Sequence, residues 1–200
     1  MSIKPILFST PMVQAIMAGR KTMTRRVIGA RGALYPGETI QQWCERWNMT
    51  PRYQIGDVLW VLETFGGNTT GNGVTAPFKT EYWYKADETS QNPDNKWRPS
   101  IFMPRDAARL FLRVTAVRAE RLQEITNLNA ASEGCQPIPC DHPGGYPCTD
   151  CMETGFLEPA TVAFMELWDD IYAKSGYGLD VNPWVWVYTF ERCDAPKVEA

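Results

Sequence analysis

The segment Arg109–Arg118 (RLFLRVTAVR) constrains this chain more than any other. Leu110, Leu112, Val114 and Ala116 fall on one side of it, and Arg109, Phe111, Arg113 and Thr115 on the other. A period of two is the mark of a half-buried β-strand. A lone strand is unstable, so the rest of the chain must supply partners. Short apolar runs at Lys4–Ser9, at Ile55–Glu63 after a Gly-Asp turn, at Glu81–Ala86 and at Trp184–Glu191 do so. Helical spacing is rarer. Thr10 reads as an N-cap, Pro11 as the first helical residue and Gly19 as the stop of one helix, with Met12, Val13, Ile16 and Met17 on its apolar face. Pro159–Tyr172 reads as a second helix, with Val162, Met165, Trp168 and Tyr172 in step, and residues 127–134 as a short one ending at Gly134. Short strands between long loops, with few helices, predict an α+β fold on a mostly antiparallel sheet or barrel.

At 200 residues the chain has the length of one domain with generous insertions. Residues 1–200 are therefore read as a single domain. Residues 29–52 and 66–96 are read as loop insertions and 135–157 as a cysteine-rich one. A hydrophobic fraction of 44% against 22% charged excludes wholesale disorder. No apolar run approaches the ~20 residues of a membrane span. The first residues lack the pattern of a signal peptide, so the expected location is the cytoplasm, with no membrane partner.

The net charge of −3 conceals an asymmetry. Residues 1–118 carry 16 Lys/Arg against 9 Asp/Glu, and residues 119–200 carry 4 against 14. A basic half suggests a polyanionic partner, or else two halves that neutralise one another within one fold. The sharpest block is Arg20-Lys21-Thr22-Met23-Thr24-Arg25-Arg26. Cations beyond the first helix would complement its dipole, which accounts for Arg20 and Lys21 but not for Arg25 and Arg26. A surface strand of mixed polar residues would account for those two.

Six cysteines are present, four of them in the run Cys135-x4-Cys140-x-His142-x5-Cys148-x2-Cys151. In a reducing compartment such spacing points to metal before disulfides. Prolines and glycines deny the loop regular structure, and a structural zinc (Zn2+) would order it. Ligation by Cys135, Cys140, Cys148 and Cys151 is the first expectation, with His142 replacing one of them the second; free thiols in a disordered loop are the alternative. No organic cofactor is expected. Cys44 and Cys193 read as single thiols.

Taken together, GRKTMTRR, GDVLWVLETF, RPSIFMPRDAARLFLRVTAVRAERLQEIT, NAASEG and NPWVWVYTFE resemble the ASCH-domain family, in the form common in bacteriophages and prophages. That resemblance implies a PUA-like β-barrel and a pocket that recognises a nucleobase or nucleic acid, RNA ahead of DNA. A small bacterial member hydrolyses N4-acetylcytidine. Its motif implies that Lys21, Thr24 and Glu133 are catalytic here: Thr24 as nucleophile or water-positioner, Lys21 as base, Glu133 as proton carrier to the leaving amine. A solvated residue near a helix end is the plain alternative for Glu133. For a phage-encoded member, the location becomes the host cytoplasm.

The same pocket could bind without chemistry. Arg20, Thr22, Arg25, Arg26, Arg98, Arg105 and Arg109 are candidate phosphate contacts, and Trp60, Trp83 and Trp97 candidate stacking platforms. Trp168, Trp184 and Trp186 read as packing. Glu63 would accept from a base edge, or pair with an arginine. The alternatives to an amidohydrolase are thus a non-catalytic RNA- or DNA-binding module, or a phage accessory protein acting through protein partners.

Overall fold

The computed structural model describes residues 2–29, 35, 37–70, 79–87, 96–136 and 159–196. Its elements run β1 (Ile3–Leu7), α1 (Thr10–Met17), β2 (Met23–Val27), α2 (Ile40–Arg46), β3 (Val58–Leu62), β4 (Phe65–Thr70), β5 (Lys79–Tyr84), β6 (Phe111–Arg121), α3 (Asn127–Ser132), α4 (Pro159–Tyr172) and β7 (Trp184–Cys193). The fold is mixed α+β. One five-stranded sheet has the order β1-β3-β6-β7-β2, and β4 and β5 form a two-stranded one. The larger order has two ends, β1 and β2, so among the described strands the sheet is open. The barrel expected above is not closed by them. No helix of the described residues is long and apolar enough to cross a membrane.

The chain divides into two compact units. The first comprises Met1–Gly19, Ile55–Val114 and Phe190–Ala200, the second Arg20–Gln54 and Thr115–Thr189. In the first unit β1 lies parallel to β3, with Ile3 opposite Val58, and β3 antiparallel to β6, with Leu59 opposite Leu112. Leu110, Leu112 and Val114 are buried, as their alternation predicts. The cap of α1 is Ser9 rather than Thr10, and Gly19 ends the helix in the left-handed region at φ +73°.

Two elements lie where loops are expected, β4 and α2. β4 falls in the expected 66–96 loop, because glycine and asparagine carry little strand propensity. It forms by pairing: Gly67 sits opposite Tyr82, whose ring would lie 3.1 Å from any Cβ placed there. Glycine admits the ring, and the ring covers the glycine. In the 29–52 segment, α2 begins with a capping box, Thr39 Oγ1 accepting from the Gln42 N–H at 3.3 Å and Gln42 Oε1 from the Thr39 N–H at 2.9 Å.

The second unit is built on β2 paired antiparallel to β7, from Met23 opposite Thr189 to Val27 opposite Val185. Its core gathers Met23, Leu122, Ile125, Phe164, Trp168, Val185 and Val187. The α4 aromatics lie one turn apart, with ring centroids 5.9 Å (Phe164–Trp168) and 4.3 Å (Trp168–Tyr172) apart. Full burial of a ring such as that of Phe164 contributes roughly 1.5–3 kcal/mol. Trp168 also donates its indole N–H to the Tyr177 carbonyl at 2.8 Å.

Candidate functional site

Two segments more than a hundred residues apart meet at the start of β2. Gly134, at φ +88°, stops α3 and leaves Glu133 as its C-cap. Lys21 and Glu133 form an antiparallel backbone bridge, and the Thr22 N–H donates to the Ser132 carbonyl at 2.8 Å. The backbone itself therefore brings the Arg20–Arg26 block to the NAASEG turn.

Side chains complete the junction. Lys21 Nζ donates to Glu133 Oε2 at 2.7 Å, to the Glu133 carbonyl at 2.9 Å and to the Met23 carbonyl at 2.8 Å. Three acceptors use all three protons of an ammonium. The other carboxylate oxygen, Oε1, accepts from Arg25 Nη1 at 3.1 Å. Arg25 in turn holds Glu120 Oε1 through Nε at 3.0 Å and through Nη2, and Glu120 Oε2 accepts from Arg118 Nε at 2.9 Å. The Met23 sulfur lies 3.6 Å from Arg25 Nη1 and 3.9 Å from Arg118 Nη2. The Phe164 ring covers the Arg25 guanidinium at 5.5 Å. The result is an alternating chain, Lys21–Glu133–Arg25–Glu120–Arg118. The Lys21 and Arg25 side chains are fully buried, and Arg118 is 41% exposed. It places three cations on two carboxylates.

Arg20 and Lys21 do serve a helix C-terminus, as the dipole argument predicts, but that of α3 rather than α1. Lys21 takes the Glu133 carbonyl, and the exposed Arg20 donates to the Gly134 carbonyl at 3.3 Å.

Burial pushes Lys21 below the ordinary lysine range, and Glu133 opposes the shift by charge and hydrogen bond. Burial, then the Glu133 charge, push the neighbouring Cys135 thiol up to about 11.

Thr24 is placed elsewhere. Strand alternation puts Met23 and Arg25 on one face of β2 and Thr24 and Arg26 on the other. The Thr24 hydroxyl is buried and accepts from Arg26 Nη1 at 2.9 Å. The structure thus brings Lys21 and Glu133 together, adds Arg25 to them, and gives Thr24 to Arg26. On the Thr24 face, Tyr53 and Tyr188 meet edge-to-face at 5.0 Å. Thr22 is exposed and contributes its backbone. Arg118 and Glu120 were not singled out from the sequence. The signal was there: they sit two apart on β6, where continued alternation sends both to one face.

The remaining candidates lie in the first unit. Glu63 is buried and takes a two-pronged hydrogen bond from Arg109, Nε to Oε1 and Nη2 to Oε2, each at 2.9 Å. Arg109 also grips Asp87 at 2.7 and 2.9 Å, and stacks 3.9 Å from the Tyr84 ring centroid. Glu63 is thereby held by an arginine rather than offered to a base edge. Trp60 is half-buried on β3 and Arg105 exposed.

Of the zinc candidates only Cys135 is among the described residues. It is half-buried, packed on the second unit's core. Cys140, His142, Cys148 and Cys151 lie outside the described residues. Among the described residues no group of three or more His, Cys, Asp or Glu is placed to hold a metal ion.

No family model matches the chain, and no curated protein matches it. It is similar to the crystal structure of an ASCH domain from Lactobacillus crispatus JV V101. The alignment covers 96% of this chain and 79% of that one, with 13% identity and a TM-score of 0.40. A likeness that loose carries no argument about chemistry.

Proposed function

We propose that the second unit recognises single-stranded nucleic acid, RNA ahead of DNA, at the β2–α3 junction, in the manner of the ASCH-type, PUA-like domains that the KTxTRR block resembles. The observation that supports this is the ion chain. Burying charged groups is costly, and apolar residues of similar size commonly stabilise a core as well or better. A chain with a positive surplus that surfaces at Arg118, with Arg20 exposed at the C-terminal end of α3, is suited to phosphate. The test is the affinity of the purified chain for a short single-stranded RNA across a salt series. Log affinity should fall with log salt at about −0.7 per phosphate engaged, and Arg20→Ala with Arg118→Ala should flatten that slope. Salt-independent affinity, or a slope those changes leave alone, overturns the reading.

A second reading, hydrolysis of an N4-acylated cytidine, is favoured by one observation: a lysine with a lowered pKa in direct contact with a buried carboxylate. Water adds to the acyl carbonyl, the carbon–N4 bond breaks, and acetate and cytidine leave. The Lys21–Glu133 pair takes the proton from water and returns one to N4. Thr24, on the opposite face of β2 and held by Arg26, takes no part in that step. Cytidine release from N4-acetylcytidine, lost in Glu133→Gln, supports this reading; no turnover by the unaltered protein removes it. The structural zinc on Cys135, Cys140, Cys148 and Cys151, or with His142 in place of one, belongs to the same proposal. Metal analysis should return about one equivalent per chain, and a folded, metal-free protein contradicts it.

A further inference from the structure

In the first unit, the segment between β5 and β6 carries an apolar tip that the function proposed above does not use. Ser100–Phe102 and Arg105–Ala107 are short 3-10 turns. Ile101 and Phe102 are 69% and 72% exposed, and Arg98 and Arg105 on either side are exposed as well.

The tip has a rigid base. Arg98 exchanges both backbone hydrogen bonds with Phe65, at 2.8 and 3.3 Å. The Phe102 and Met103 N–H groups close onto the Pro99 and Ser100 carbonyls, each at 3.0 Å. Met103 and Ala107 are buried against Phe65, and the Met103 sulfur accepts the Glu63 N–H at 3.3 Å. Tyr84 holds the Ala107 carbonyl at 2.7 Å. A base this well pinned holds two adjacent apolar side chains in water, where burial arguments would not put them. The local charge is positive: Lys96, Arg98 and Arg105 stand against Asp106, whose carboxylate accepts from the Tyr82 hydroxyl at 3.0 Å.

We infer that Ile101–Phe102 is a stacking tip for single-stranded nucleic acid: one unpaired base lies on the Phe102 ring beside Ile101, and Arg98 and Arg105 take the flanking phosphates. Stacking needs one presented aromatic face with cations beside it, and every base has a face to offer. Ile101 and Phe102 are the exposed large hydrophobic side chains described in this segment, and together they match about the footprint of one base. That is short of the amphipathic stretch a lipid surface needs and of the apolar centre of a protein interface. The inference shares its ligand class with the proposed function but none of its residues.

The test is fluorescence anisotropy of a labelled single-stranded oligouridine titrated with the full chain. Phe102→Ala should weaken binding by about 5- to 100-fold, as expected for one lost base stack. Phe102→Trp should keep it, and Phe102→Leu should behave like the alanine variant. Arg98→Ala with Arg105→Ala should lower the salt slope by about 1.4. If the unaltered chain binds and Phe102→Ala matches it, the tip is overturned while the junction reading stands. If Phe102→Ala weakens binding but Arg20→Ala with Arg118→Ala does not, the junction fails and the tip stands. No binding at low salt overturns both. Phe102-dependent pelleting with phosphatidylserine vesicles, without oligonucleotide binding, overturns the tip in favour of a lipid contact.

Discussion

Glu133 holds two buried cations with one carboxylate, at the C-terminal end of a helix where its charge is least welcome. Removing that charge leaves Lys21 and Arg25 uncompensated in the core. Glu133→Gln should therefore cost about 3–5 kcal/mol in chemical denaturation. Adding Lys21→Met should recover part of the loss, since a double-mutant cycle on a contacting pair is not additive. A Glu133→Gln variant as stable as the parent would refute the ion chain as drawn. Tyr188 offers a pH test. Burial pushes its hydroxyl up to about 12, although the Arg52 N–H, donating to it at 3.1 Å, favours ionisation. Unfolded tyrosine ionises near 10. Between about 10 and 12 the unfolded chain thus binds fewer protons than the folded one, and stability must fall as pH rises through that window. Tyr188→Phe should flatten the fall in urea midpoints, and an equal fall in the variant contradicts the assignment. The cations of the Arg20–Arg26 block were legible from type and spacing. Which face each takes was not: the block reads as a cluster in one dimension, and the strand period then separates Thr24 from Lys21.

Elements were legible where their own residues fix them. The bounds of α4, Pro159–Tyr172, match the expectation because an N-terminal proline and an apolar stripe both act locally. The central strand starts at Phe111, two residues after the expected Arg109; it buries Leu112 and Val114 as the alternation requires but leaves Ala116 exposed, and it runs on to Arg121, which is how Glu120 reaches Arg25. The missed strand β4 depends on a partner: Gly66, Gly67 and Asn68 specify nothing until Tyr82 and Trp83 pair with them. By contrast, α2 was readable, since Thr39 and Gln42 spell a capping box that the surrounding glycines and prolines obscured. Thr39→Ala should cost about 1 kcal/mol, read from the shift in denaturation midpoint. No shift would mean that α2 contributes nothing to the cooperative unit.

At the scale of the molecule, the charge asymmetry resolves into local pairings. The acids of the C-terminal half do meet the bases of the N-terminal half, Glu133 and Glu120 against Lys21 and Arg25 in the second unit. Neutralisation and a positive surplus are therefore both present, one inside the ion chain and one where it surfaces. Composition could show the imbalance but not where it emerges, because that depends on which strand faces meet. The claim that this surfacing charge is a nucleic-acid site is tested most directly by photo-crosslinking. Single-stranded RNA carrying 4-thiouridine is bound to the full chain at low salt, irradiated and mapped by mass spectrometry. The junction reading predicts adducts in the peptides that contain Arg20–Arg26 and Arg118–Arg121. Adducts absent from both, on a protein that binds the RNA, would contradict it.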